Sequence, residues 1–178
     1  MTELTLRQAT ESDWPALVAM GLDIRHLKSE GVYACLCYEK GKLVGAATGT
    51  ADVAPRLAGA DETRTARLWW ARSLLANRED ILWALIEWQN ENAIRTGHTR
   101  SEMPFIPYDQ AKQCTNVVAT TEVKGMVAKH PSATSITEGL NTLTQQPSHE
   151  RVIINDLEAA RKECRALLDK LGCKRVWA

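Results

Sequence analysis

An α/β fold built on one mixed sheet, α+β-like in character, is what this sequence predicts, on three observations. Two apolar, β-prone runs, VYACLCYE and KLVGAATGT, are separated only by Glu39-Lys40-Gly41 and read as a tight hairpin. Helical apolar spacing recurs on either side of that hairpin and again near the C-terminus. The resulting order is strand, helix, hairpin, strand, helix, strand, helix, strand, without a run of βαβ crossovers, which disfavours a doubly wound sheet.

Each element has its own signal. Leu4, Thr5 and Leu6 begin a short alternating strand, and Thr10, Ser12 and Asp13 offer N-cap chemistry to a helix carrying Leu17, Val18, Gly21, Ile24 and Leu27. Pro15 fits the first turn of that helix, where a missing N–H costs little, and Gly31 closes it. Residues 52–65, DVAPRLAGADETRT, have loop composition. ARLWWARSLL reads as a buried strand or the start of a helix, with strand favoured, and the acids Glu79 and Asp80 suit the dipole at the start of a helix that runs through Ile81, Leu82, Leu85, Ile86 and Trp88 to about Arg95.

Residues 96–150 hold many turn formers and read as an irregular, insertion-like region of a single domain spanning 1–178. A short strand is expected around Thr115–Val123, and a loop with one helical turn from His130 to His149. RVIIN then reads as a buried strand, and Asp156 caps a helix from Leu157 to Leu171 with Leu157, Ala160, Cys164, Leu167, Leu168 and Leu171 on its inner side. Gly172 ends that helix, and Cys173–Trp177 forms a terminal strand.

Composition removes several function classes. At 44% hydrophobic residues, the chain can build a sizeable core. Lys and Arg total 22, as do Asp and Glu, so no global field draws the chain to nucleic acid or a membrane. The basic residues Lys162, Arg165, Lys170, Lys174 and Arg175 are interleaved with acids, as on a solvated helix face. Five cysteines without scaffold spacing read as reduced thiols, and the scattered His26, His98, His130 and His149 lack zinc-ligand spacing. The N-terminus has no apolar segment of a targeting peptide and no run is long enough to span a membrane, so the cytoplasm is expected. No G-x-S-x-G, P-loop or G-x-G-x-x-G motif occurs. Six tryptophans against one phenylalanine suit the core, half-buried clefts and subunit contacts alike.

Three segments together resemble the GNAT N-acetyltransferase family. LTLRQATESDWPALVAM is similar to its opening strand and helix, EKGKLVGAATG to its second and third strands, and ALLDKLGCKRV to its closing helix and strand. They cover about half the chain. The resemblance implies a GNAT-like acyl-CoA N-acyltransferase fold, with acetyl-CoA as donor and an amine as acceptor. Such enzymes hold the donor's pyrophosphate with Arg or Gln, two spacers and Gly-x-Gly or Gly-x-Ala, because glycines let backbone N–H groups approach phosphate at a helix N-terminus. That pattern is not intact here.

One register sets Val53, Pro55 and Gly59 on the family's motif, with Ala58 replacing the arginine and Asp61 the second glycine. A second makes Leu68–Ser73 the central strand and Leu75–Glu79 the loop, and fits the topology better. Trp70, Ala71 and Arg72 would then line the thioester, and Leu75, Asn77 and Arg78 the pantetheine and phosphates. With no glycine in that loop, a plain strand-to-helix turn without ligand is the simpler account. The family's general-acid tyrosine corresponds to Leu168, which cannot donate a proton; Tyr33, Tyr38 and Tyr108 are the available phenols, and Glu39, Glu87 and Glu102 the candidate bases. The departures also fit a GNAT-derived fold that has lost catalysis and binds a protein partner or another copy of itself, as in degenerate acetyltransferase-like proteins encoded by tailed phages.

Overall fold

The computed structural model describes residues 1–50, 65–105, 133–140 and 147–178. Eight strands form one mixed sheet: β1 (Thr2–Gln8), β2 (Val32–Glu39), β3 (Lys42–Thr50), β4 (Thr65–Ser73), β5 (Arg100–Phe105), β6 (Ala133–Leu140), β7 (Pro147–Ile154) and β8 (Cys173–Trp177). Their spatial order is β6-β7-β5-β4-β3-β2-β1-β8, with β4 parallel to β5 and β1 parallel to β8. Among the described residues four α-helices cover it: α1 (Trp14–Ala19), α2 (Ile24–Leu27), α3 (Glu79–Arg95) and α4 (Leu157–Lys170).

Strand alternation divides the core between the two faces of the sheet. Cys35, Cys37, Ala47, Ala66, Leu68 and Ala71 pack with α3 and α4, while Ala34, Leu36, Ala46 and Trp70 pack with Leu17, Met20, Leu22 and Leu27 around α1 and α2. Ile81 through Asn90 of α3 are all buried. This helix can lie close to the sheet because Gly45 lacks a side chain: a Cβ there would stand 2.7 Å from Ile81 Cγ2 and 2.9 Å from the Arg72 carbonyl oxygen.

The hairpin forms as the sequence predicts, with Lys40 (φ 49°) and Gly41 (φ 75°) both left-handed, as a two-residue type I′ turn requires. The ARLWWARSLL strand, the helix to Arg95 and the terminal helix and strand are also found, and Asp156 accepts a capping hydrogen bond from Ala159 N–H.

Four expectations need correction. The first helix is broken into α1 and α2 by Gly21 (φ 102°), after which Asp23 caps α2 through Arg25 N–H. The stretch from His130 to His149, read as a loop, contains β6 and the start of β7, which pair antiparallel; their Thr, Ser and Glu content hides the strands because the ladder supplies the order. β5, absent from the expected order, joins β4 through α3 as a parallel βαβ unit. Leu171, expected inside, is 48% exposed. The loop expectation at 52–65, apart from Thr65, which begins β4, the strand at Thr115–Val123 and the register on Val53, Pro55, Ala58, Gly59 and Asp61 lie outside the described residues. Among the described residues no helix is long and apolar enough to cross a membrane.

Candidate functional site

The sheet opens between β4 and β5. Their parallel ladder runs only from Thr65↔Arg100 to Arg67↔Glu102. Beyond it β4 stays paired with β3 as far as Ser73, and β5 with β7 as far as Phe105. Each strand keeps its outer partner, so the two diverge into a fork at their carboxyl ends, where open parallel strands receive ligands. Leu74 N–H reaches Val44 C=O at 2.7 Å, which fixes the phase of the antiparallel β3–β4 ladder. Trp70 and Arg72 therefore turn their backbone groups toward β3, and Ala71 and Ser73 turn theirs into the fork.

The loop from the fork to α3 is held by its own polar groups. Ser73 Oγ accepts from Leu75 N–H at 3.2 Å and donates to Leu75 C=O at 2.8 Å. Asn77 takes a left-handed conformation (φ 56°), and Arg78 is the N-cap residue of α3. The Arg78 guanidinium bonds Glu39 at 3.0 and 3.3 Å and Asp80 at 2.8 and 2.9 Å. These contacts hold the Glu39 and Asp80 pKa values below the ordinary carboxylate range, against the opposing effect of burial.

The residues singled out in sequence occupy different parts of this geometry. Trp70 is 2% exposed beneath α1 and α2, with its backbone groups turned to β3, and Ala71 is buried under α3, so of the two only the Ala71 backbone faces the fork. Arg72 crosses to the end of α1, donating to Met20 C=O at 2.5 Å. Leu75 and Asn77 are exposed on the loop, and Arg78 is held by its two carboxylates.

Of the phenols, Tyr38 accepts from Arg7 at 2.9 Å, whose guanidinium also lies over its ring, and Tyr33 packs on Trp88 at the far end of α3, where burial pushes its acidity well below the ordinary range; Tyr108 lies outside the described residues. Glu87 is buried in an ion pair with Arg175, remote from the fork, whereas Glu102 is buried on the last β4–β5 rung, ion-paired with Arg67. Leu168 is fully buried in the core.

Sequence reasoning did not associate His26 with this region. Its Nε2 lies 3.2 Å from Thr48 Oγ1, on the face of α1 and α2, and burial lowers its pKa so that the neutral ring is favoured. The partners are 22 residues apart, so no local spacing announces them.

A mixed sheet with a forked β4–β5 pair, a crossover helix starting at the fork and helices on both faces is the acyltransferase fold of the GNAT type. Solved structures share it. The chain superposes on the ribosomal-protein-S18-alanine N-acetyltransferase of Escherichia coli with a TM-score of 0.54 and 12% identity, covering 85% of this chain and 92% of that one. A protein of Desulfovibrio desulfuricans assigned to the GNAT acetyltransferases gives 0.51 at 14% identity, covering 84% and 96%. An uncharacterised Bacillus halodurans protein gives 0.59 at 7% identity, covering 94% and 91%. At these identities the likeness is one of fold. No protein-family model matches the chain, and no curated protein matches it in sequence.

Proposed function

We propose that residues 1–178 form a single N-acetyltransferase domain that moves the acetyl group of acetyl-CoA to an amine. The observation that carries this reading is the β4–β5 fork, with the Ala71 and Ser73 N–H groups turned into it. A thioester arm lying in the fork would complete the hydrogen bonding of β4, and one of those N–H groups would polarise the thioester carbonyl. The free amine attacks the acetyl carbon, the C–S bond breaks and the sulfur leaves as thiolate. Glu102, on the last rung of the ladder, accepts the amine's proton, which ends on the thiolate.

Two measurements test this. Acetyl-CoA at millimolar concentration is expected to raise the melting temperature by mass action, and the absence of any shift would remove the reading. Glu102→Gln is expected to keep that shift while lowering kcat/KM by about 10²–10⁴. Unchanged turnover would move the base elsewhere.

A second reading, a GNAT-type fold that serves only to bind a protein, draws support from the loop without glycine and from Leu168 where the family has a tyrosine. It is the one left standing if no CoA compound shifts the melting temperature.

A further inference from the structure

The far end of the fork is chemically unlike the place where a dense anion would rest. A helix start binds phosphate through free backbone N–H groups, its positive dipole end and nearby cations. The dipole end and the Arg78 cation are already used here, together with three of the backbone N–H groups. Leu74 N–H is bonded to Val44 C=O, Leu75 N–H to Ser73 Oγ and Ile81 N–H to Arg78 C=O. Glu79 and Asp80 fill the first turn of α3 and complement its dipole. All three guanidinium nitrogens of Arg78 are directed at the Glu39 and Asp80 carboxylates. Among the described residues around the loop, Glu39, Glu79 and Asp80 stand against Lys40, Lys42 and Arg78, so their charges balance. The loop's outward side chains include Leu74 and Leu75, 43% and 40% exposed, which suit a neutral arm better than a pyrophosphate.

We propose that this site reads its acyl donor through the thioester and the neutral pantetheine arm alone, so that its donor class is acyl-pantetheine thioesters and the nucleotide half of CoA adds no affinity. This rests on the acetyltransferase reading. Releasing Arg78 for a phosphate would require breaking both of its ion pairs and bringing the phosphate up to two bared carboxylates.

The test compares acetyl-CoA with S-acetylpantetheine on the full chain, by ligand-induced melting shift and by titration of tryptophan fluorescence. Dissociation constants within about threefold of each other, insensitive to salt, are expected. Acetyl-CoA binding tenfold or more tightly overturns the proposal while leaving the acetyltransferase reading intact. Binding of neither compound ends both. The variant Glu39→Gln/Asp80→Asn removes the two carboxylates, frees Arg78 and is expected to tighten acetyl-CoA about tenfold, as one new charge-assisted hydrogen bond would, with S-acetylpantetheine unchanged. If the ratio of the two constants stays near one in this variant, the carboxylates are not what excludes the phosphates and the proposal falls.

Discussion

Arg175 and Glu87 show how much one buried pair can fasten. Glu87 lies on α3 at 2% exposure, and the Arg175 fork on β8 meets it with two hydrogen bonds of 3.0 Å. Arg175 also reaches Asp169 at 3.1 Å and the Cys173 carbonyl, so the last strand is tied to both helices of one face. Removing one partner of a buried pair leaves the other charged and desolvated. Arg175→Met is therefore expected to cost about 3–5 kcal/mol, measurable as a lower midpoint in urea; a loss within experimental error would mean that water reaches Glu87. Sequence reasoning placed Arg175 on a solvated basic face, because the partner that buries it is 88 residues away. The thiols of Cys35, Cys37, Cys164 and Cys173 are free, as the sequence suggests, and burial disfavours their thiolates by pushing Cys173 up to about 11 and Cys37 up to about 12.

Elements were legible where local chemistry alone suffices. The type I′ turn at Lys40-Gly41 and the Asp156 cap are each set by a few neighbouring residues, and both form. Gly21 was read as part of one continuous apolar stripe, yet its left-handed backbone ends α1, where the Gly21 and Leu22 N–H groups bond to Val18 and Leu17 carbonyls. The seat of α3 on β3 is decided by Gly45, in a way that no helical periodicity encodes. Gly45→Ala would push into Ile81 and the Arg72 backbone, and about 1–3 kcal/mol of destabilisation is expected from overpacking. Calorimetry checks it, and pairing the change with Ile81→Val should recover part of the loss. A stable Gly45→Ala protein would show that α3 can move off the sheet at little cost.

At the scale of the whole molecule, ion pairs and the buried imidazole of His26 contribute to the response to acid among the described residues. Asp13 receives two 2.8 Å bonds from Arg7 and one from Thr10 N–H, which hold its carboxyl well below the usual range; Glu39 and Asp80 are lowered by Arg78. Groups with depressed folded pKa values contribute stability that is complete above their unfolded values, about 3.9 and 4.3, and is lost as pH falls toward the folded ones. His26, lowered by burial, acts in the same direction: below about 6.5 the unfolded chain takes up a proton that the folded chain does not. Two steps of destabilisation on acidification are expected in the urea midpoint, one below about pH 6.5 and one below about pH 4.5. His26→Gln should shrink the first and leave the second unchanged. A midpoint that stays constant from neutral pH to about 4 would contradict the account of His26.

The sequence by itself determined the elements whose information is local: the hairpin, the capped terminal helix, the helix opened by Glu79 and Asp80, and the mixed α/β class that their order implies. It also showed that the strand-to-helix loop has no glycine. Tertiary structure decided the rest. β5, β6 and the start of β7 owe their order to one another's backbone groups rather than to apolar alternation, whereas the RVII end of β7 was legible as a buried strand. The fork exists because β4 and β5 each keep a different outer partner. Arg78, a cation available to a phosphate when read along the chain, is claimed by Glu39 from the β2–β3 hairpin as well as by its neighbour Asp80. Hydrogen-bond competition between groups distant in sequence is invisible to spacing, and here it occupies the arginine of the strand-to-helix loop.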